Sequence, residues 1–287
     1  MVKILDGKII RDKIQRELAE AVSKLSTKPK LVIIQVGNNP DSSAYVNQKK
    51  IFGEKIGVAV ELCKFDDSIS EEAIAEKIEE LNSDKGTNGI IVQLPLPTHL
   101  GASKLISNID PNKDVDGLTP TNVKKLLEKD SRGFVPATAK GVLALLDYYE
   151  IPLAGKRIIV IGRSVLVGKP IALSLLARDA TVTVCHRQTK NLSEETKRAD
   201  IIIVAAGCPG LISTEYVSSG QTIIDVGINL ISGKKFNEEI GGKKFVGDVD
   251  FETAKDIVEA ISTVPGGVGP MTVASLFENL LKAIKML

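Results

Sequence analysis

Histidine is nearly missing from this chain: His99 and His186 are the only two in 287 residues. Cysteine is scarce as well, with Cys63, Cys185 and Cys208 far apart and no C-x-x-C pair. So few imidazoles and thiols leave little with which to build a protein-ligated zinc site, and no metal centre is expected. The three cysteines lie in or beside apolar, strand-like runs and read as small buried hydrophobes in a reducing compartment. Net charge is missing too. Lys and Arg number 37 against 36 Asp and Glu, so there is no broad basic field for nucleic acid or an anionic membrane, and any basic role must be local. No stretch approaches about 18 uninterrupted apolar residues, and the opening segment from Met1 to Gly7 lacks an apolar signal core. A cytoplasmic protein without membrane spans is the expectation.

What the chain has instead is alternation. Helical and strand periods follow one another almost from the start, the pattern of a parallel sheet with crossover helices, over a length sufficient for two ordinary domains. Ile10, Ile14, Leu18, Val22 and Leu25 mark a helical stripe. Leu31 to Val36 reads as a buried strand ended by the turn Gly37-Asn38-Asn39-Pro40, and Ser42 or Ser43 is placed to cap the helix that follows, ending near Gly57. Val58 to Lys64 is strand-like, Ser70 opens another helix, and Gly89 to Leu94 is a third buried strand stopped by Pro95 and Pro97. Around Pro136-Ala137-Thr138-Ala139 there is a boundary, with Thr138 as the expected cap of a helix reaching Tyr149. The last helix carries Leu276, Leu280 and Ile284.

Arg157 to Ile161 is a strand that runs straight into Gly162-Arg163-Ser164-Val165-Leu166-Val167-Gly168-Lys169-Pro170. A strand turning sharply into a helix offers free amide hydrogens to a phosphate. Gly162 permits the tight turn and a close approach, Gly168 permits close helix-to-strand packing, and Pro170 suits a first helical turn. The loop reads G-x-S-x-x-x-G rather than the dinucleotide fingerprint G-x-G-x-x-G, so an ordinary strand-to-helix turn fits it as well. The next strand, Thr181 to Val184, ends at His186 and Arg187, where an NAD site usually carries a carboxylate for the ribose hydroxyls. A guanidinium there favours a ribose bearing a 2′-phosphate, hence NADP; a solvated strand end fits the same residues.

Tyr45 and Lys49 are four apart, so a helix presents them on one face, either as a reactive pair or as a packed ring beside a solvated amine. Gln93 follows a buried strand at its carboxyl end, where α/β sheets place ligands, although an amide can equally tie down its own loop. Asp116 sits in the loop Asp114-Val115-Asp116-Gly117 and suits either a ligand or a local turn. Pro265 to Thr272 combines three glycines and two prolines in eight residues, a stiffened backbone with little side-chain bulk against which a flat ligand can lie; an inter-domain turn is the alternative.

These segments together resemble the bifunctional methylenetetrahydrofolate dehydrogenase/cyclohydrolases over nearly the whole chain. The resemblance is carried by Tyr45-Val46-x-x-Lys49, Val92 to Pro97, Lys113 to Gly117, Gly162-Arg163-Ser164 with Val167 to Pro170, Asp225 to Asn229, Gly247-Asp248-Val249 and Pro265 to Thr272. It implies an α/β protein of two domains: a folate-binding catalytic domain of residues 1–137 plus 266–287, to which the C-terminal helix returns, and a Rossmann-type NADP-binding domain of residues 138–265. It implies a cytoplasmic homodimer with NADP and folate meeting in the inter-domain cleft, and a place in one-carbon metabolism and purine biosynthesis. Carried over residue by residue, Lys49 matches the family's catalytic lysine, Tyr45 the ring that positions it, Gln93 its hydrogen-bonding partner and Asp116 the pterin-anchoring carboxylate. Val92, Leu94, Pro265, Gly266 and Gly267 fall with these on the substrate side. Gly162, Arg163, Ser164, Arg187, Ile228, Gly269 and Thr272 fall at cofactor positions.

Two segments depart from the family pattern. Pro136-Ala137-Thr138-Ala139 stands where Pro-Cys-Thr-Pro is common, and Ser262-Thr263-Val264-Pro265 where Thr-Pro-Val-Pro is common. Neither removes a proposed proton carrier. Two other readings fit the architecture: a shikimate-type NADP dehydrogenase, and a noncatalytic NADP-sensing protein.

Overall fold

The computed structural model describes residues 2–232 and 243–286. From the amino end the elements are β1 (Lys3–Leu5), α1 (Gly7–Ser23), β2 (Lys30–Val36), α2 (Pro40–Lys55), β3 (Ala59–Phe65), α3 (Glu71–Ser83), β4 (Gly89–Val92), α4 (Ala102–Ser107), α5 (Pro120–Leu127) and α6 (Ala137–Tyr148). They continue as β5 (Arg157–Ile161), α7 (Gly168–Leu176), β6 (Thr181–Cys185), α8 (Leu192–Lys197), β7 (Ile201–Val204), a 3-10 turn (Thr214–Tyr216), β8 (Thr222–Asp225), β9 (Asn229–Ser232), β10 (Lys243–Val246), α9 (Phe251–Ala254), β11 (Ala260–Ser262) and α10 (Val268–Met286). By contacts the chain divides into two compact units, Met1–Arg11 with Thr138–Thr272, and Asp12–Ala137 with Val273–Leu287.

The unit built on Asp12–Ala137 holds a parallel sheet in the order β3-β2-β4. Its middle strand is apolar at nearly every position because both faces are covered: Val32, Ile34 and Val36 join Ile74, Ile78 and Leu81 of α3 in one cluster, while Leu31 and Ile33 are buried on the other face. Ser70 caps α3, its hydroxyl accepting from the Ala73 N–H at 3.2 Å. The C-terminal helix does return to this unit. Phe277 stacks on Phe52 with ring centroids 5.1 Å apart, and a Cβ on Gly89 would lie 2.7 Å from Leu280, so β4 and α10 are in close contact.

The other unit carries a six-stranded sheet in the order β1-β11-β8-β7-β5-β6, with parallel pairing throughout. From β5 the chain steps to β6 on one side and then to β7 on the other, which makes the carboxyl ends of β5 and β7 the topological switch point. Strand β1 belongs to this sheet, with Lys3, Ile4 and Leu5 in register with Ala260, Ile261 and Ser262. Three residues are too short a run to show a period, and residues 266–272 likewise group with this unit, so the contact division keeps the boundary between Ala137 and Thr138 but moves Met1–Arg11 and residues 266–272 to the unit that holds β5.

Several local expectations shift. Helix α2 begins at Pro40 rather than after a serine: the Asn39 side chain accepts from the Ser42 N–H at 3.1 Å, and proline takes the first helical position. The Ser42 hydroxyl instead donates to the Leu94 carbonyl at 3.3 Å. Thr138 lies inside α6 and is not its cap. Leu25 falls beyond the end of α1. Only the first part of the Pro265 to Thr272 segment is loop, since α10 starts at Val268 and tolerates Pro270 within its first turn, where no N–H has a helical partner. Cys185 is buried and Cys63 half-buried as expected, but Cys208 is exposed in the loop after β7.

Candidate active site

Helix α2 leaves β2, and β4 pairs with β2, so the side chains of α2 and the carboxyl end of β4 are brought together by topology alone. Gln93 follows β4 by one residue and its N–H donates to the Ile34 carbonyl at 2.8 Å, which prolongs the ladder and fixes its backbone. The Lys49 amine donates to Gln93 Oε1 at 2.9 Å, and Gln93 Nε2 donates to the Leu94 carbonyl at 2.8 Å. The amide of Gln93 therefore ties down its own loop and also holds the amine, as the family resemblance implied. Tyr45, half-buried, lies one helical turn before Lys49 on the same face. Val92 is the buried last residue of β4, and Leu94 is half-buried.

Asp116 completes the group. The local turn bonds that Asp116 was equally suited to make come from its neighbour: Asp114 accepts from the N–H groups of Leu118 (3.1 Å) and Thr119 (2.7 Å) and from the Asn122 amide (2.8 Å). Lys113, also buried, donates to three carbonyls at the end of α3, those of Leu81, Asn82 and Asp84. Gly117 adopts φ 72°, and a Cβ there would lie 2.8 Å from the Phe134 carbonyl oxygen. The loop is thus anchored on both sides of Asp116. Lys113, Asp114 and Asn122 drew no separate role from the sequence; the only signal was charged residues in a run that is otherwise apolar or turn-forming.

As a whole residue Lys49 is half-buried, but the surroundings of its amine are dry enough that burial lowers its pKa from the ordinary lysine value, opposed by the charge of Asp116. Burial raises the pKa of Asp116 in turn, opposed by Lys49 and reinforced by Asp114. Both groups are pushed toward neutrality. An amine that loses its proton more easily than usual, fixed by an amide acceptor, is equipped to take a proton and give it back.

In the other unit the strand-to-helix turn is as tight as the glycines predict. Gly162 has φ 130°, and a Cβ on it would meet the Ala205 carbonyl oxygen at 2.1 Å; one on Gly168 would meet the Gly162 carbonyl oxygen, also at 2.1 Å. The Ser164 hydroxyl accepts from the N–H groups of Val167 (3.1 Å) and Gly168 (3.4 Å) at the start of α7. Arg163 and Ser164 are exposed around this helix start. After β6, His186 Nδ1 faces the Gln188 N–H at 3.2 Å, closing a turn from which Arg187 projects as an exposed residue. Ile228, 39% exposed, comes within 3.4 Å of where a Cβ on Gly269 would be, so two of the expected cofactor positions adjoin. Thr272 lies in the second turn of α10, its hydroxyl donating to the Val268 carbonyl at 3.3 Å. Gly266 (φ 117°) and Gly267 belong to this unit with Pro265, and the Gly266 carbonyl accepts from the Gly7 N–H at 2.9 Å.

Asp225 and Asp248, quoted above only as parts of motifs, are both buried here. Burial pushes the carboxyl of Asp225 up to about 7 against three backbone N–H donors, with the charge of Asp248 adding to the rise. Because the folded value lies above the ordinary one of about 3.9, the folded chain holds this proton more tightly than the unfolded chain between about pH 4 and 7. This contribution to stability, on the order of a few kcal/mol, is therefore present at low pH and lost as pH rises through that window. Replacing Asp225 with Asn is expected to flatten the fall in Tm between about pH 4 and 7. An unchanged slope in thermal melts of the variant would contradict this.

Residues 5–116 match the model of the tetrahydrofolate dehydrogenase/cyclohydrolase catalytic domain, and residues 136–287 that of the tetrahydrofolate dehydrogenase/cyclohydrolase NAD(P)-binding domain. The chain belongs to the tetrahydrofolate dehydrogenase/cyclohydrolase family. It is 44% identical over 285 residues to the bifunctional protein FolD of Hydrogenobaculum sp., covering 99% of each chain. The crystal structure of the bifunctional FolD methylenetetrahydrofolate dehydrogenase/cyclohydrolase of Campylobacter jejuni matches over the full length of both chains at 41% identity, with a TM-score of 0.93. The Trypanosoma brucei FolD, complexed with NADP and an inhibitor, matches at 34% identity and TM-score 0.94 over 99% of this chain and 98% of that one. A shikimate 5-dehydrogenase of Thermus thermophilus, covered over 90% of this chain and 99% of its own, shares the fold at TM-score 0.52 and 14% identity and nothing more specific. Family membership thus favours the folate reading over the shikimate one.

Proposed function

We propose that this chain oxidises 5,10-methylenetetrahydrofolate to 5,10-methenyltetrahydrofolate with NADP and hydrolyses the product to 10-formyltetrahydrofolate. The observation that carries the reading is the Lys49 amine: hydrogen-bonded to Gln93, facing the charge of Asp116, and shifted toward its neutral form by burial. Family membership and the relatives named bifunctional FolD support it.

The loop Gly162 to Gly168 fits a dinucleotide, because the space a Cβ would fill at Gly162 and Gly168 is taken by backbone, which keeps the turn from β5 into α7 tight and free of side-chain bulk at both positions. Gly162, Arg163, Ser164, Arg187, Ile228, Gly269 and Thr272 would hold NADP, with Arg187 on the 2′-phosphate. Bound NADP supplies the hydride acceptor. For that step the protein has only to align donor and acceptor, since the two nitrogens flanking the one-carbon bridge stabilise the cation that remains.

Hydrolysis asks more of the side chains. Water adds to the methenyl carbon and must lose a proton while the adduct collapses onto the formyl product. Lys49 accepts that proton at Nζ and returns it to the departing ring nitrogen. Gln93 orients the amine, Tyr45 packs beside it and the substrate, and Asp116 anchors the pterin. Val92 and Leu94 adjoin Gln93 on the substrate side, and Pro265, Gly266 and Gly267 are the substrate positions that the family resemblance implies within the other unit. The free cysteines and the absence, among the described residues, of any helix long and apolar enough to cross a membrane support a cytoplasmic setting, and the family resemblance supports a homodimer.

One spectrophotometric experiment tests both reactions: methenyltetrahydrofolate should form when the chain is given methylenetetrahydrofolate and NADP, and supplied methenyltetrahydrofolate should decay faster than in buffer alone. Turnover of shikimate with neither folate reaction would overturn the proposal, and so would NADP binding without any folate turnover.

A further inference from the structure

We propose that Asp248 is a positioning residue for NADP, acting with Asp225 to hold the backbone of residues 206–208 and 226–229 in the shape that receives the cofactor. Both oxygens of the Asp248 carboxylate are occupied. Oδ2 accepts from the N–H groups of Ala206 (2.7 Å) and Gly207 (2.8 Å), and Oδ1 from the Cys208 N–H (2.8 Å) and the Asn229 side-chain amide (2.8 Å). Three successive N–H groups converging on one fully buried carboxylate define the loop that leaves β7 far more tightly than solvated turn residues would.

Asp225, the last residue of β8, makes the complementary set. Its oxygens accept from the N–H groups of Gly227 (2.9 Å), Asp248 (3.1 Å) and Val249 (2.9 Å), while its own N–H donates to the Ser262 hydroxyl at the end of β11 (2.8 Å). The packing is close enough to dictate glycine twice. A Cβ on Gly227 would lie 2.2 Å from Asp248 Cγ, and one on Gly247 would lie 1.8 Å from Asp225 Oδ2. The two aspartates, through their carboxylates and the Asp225 N–H, therefore link the carboxyl ends of β7, β8 and β11, and the segment they clamp carries Ile228. Carboxyl strand ends are where parallel sheets bind ligands, so the brace lies directly behind the surface assigned to the cofactor. The donors to Asp248 are all neutral amides, and the pair lies wholly within one unit, whereas Lys49 belongs to the other.

This inference rests on the reading that the unit binds NADP, and the experiment separates the two. NADP is titrated into the full chain and into Asp248→Asn, which keeps the shape but turns an N–H donor toward backbone N–H groups. Both folate reactions are then assayed. The wild-type chain is expected to bind NADP, and the variant to bind it about tenfold or more weaker, with KM for NADP raised in proportion. Hydrolysis of methenyltetrahydrofolate, which needs no NADP, stays at the wild-type rate. Wild-type protein that does not bind NADP would sink the underlying reading. Equal NADP affinity in the two proteins, or equal loss of both reactions, overturns the positioning role. Should Asp248→Asn yield no folded protein, Asn229→Ala removes a single donor: a smaller rise in KM for NADP with hydrolysis intact supports the inference, and unchanged KM overturns it.

Discussion

Replacing Lys49 with methionine is expected to lower hydrolysis of methenyltetrahydrofolate by about 10²- to 10⁴-fold, the range typical of a lost general acid–base group. Methionine keeps most of the apolar stem and removes only the amine, so the packing of α2 should survive. Gln93 retains its bond to the Leu94 carbonyl, and its backbone remains tied to Ile34. NADP affinity should be unchanged, because the cofactor residues lie in the other unit. The wild-type rate should climb as pH rises through the pKa of Lys49, which burial has brought below the ordinary lysine value, and this limb should be missing from the variant. Decay of the methenyl compound, followed by its absorbance across pH, checks both points. Hydrolysis by the purified variant at the wild-type rate removes Lys49 from the mechanism.

Changing Arg187 to alanine is expected to weaken NADP by about 10- to 100-fold, as loss of a charge-assisted contact with a phosphate does, while barely altering NAD. Arg187 is exposed on the turn after β6, where His186 and Thr189 hold the backbone and leave the guanidinium without a structural task in the fold core. Titration of both dinucleotides into wild type and variant measures the difference. An equal loss for both would show that the guanidinium does not contact the 2′-phosphate.

The alternation of periods made the two parallel sheets legible, because strands covered on both faces must be apolar at consecutive positions, as Val32 to Ile34 and Ile201 to Val204 are. Glycine was equally readable: the predicted tight turn at Gly162 and close packing at Gly168 are what the backbone shows. Caps were harder. Asn39, not Ser42 or Ser43, starts α2, since all three side chains can accept an N–H and only the backbone path decides which one does. The Asp116 loop was read as a choice between ligand and turn. Three-dimensional contacts alone give the turn bonds to Asp114, two residues away with the same side chain.

The order and chemistry of the motifs were set by the linear sequence: Lys49 on a helix after Tyr45, Gln93 at a strand end, a glycine turn into a helix, a guanidinium in place of a carboxylate. These follow from local rules of period, backbone freedom and charge, which act over a few residues. The folded chain alone decided that Lys49 meets Gln93 across 44 positions, that burial lowers the pKa of its amine, that β1 pairs with β11, and that Asp248 gathers the loop after β7 from 40 residues away. Each of those depends on distance through space and exclusion of water, quantities that no local pattern encodes.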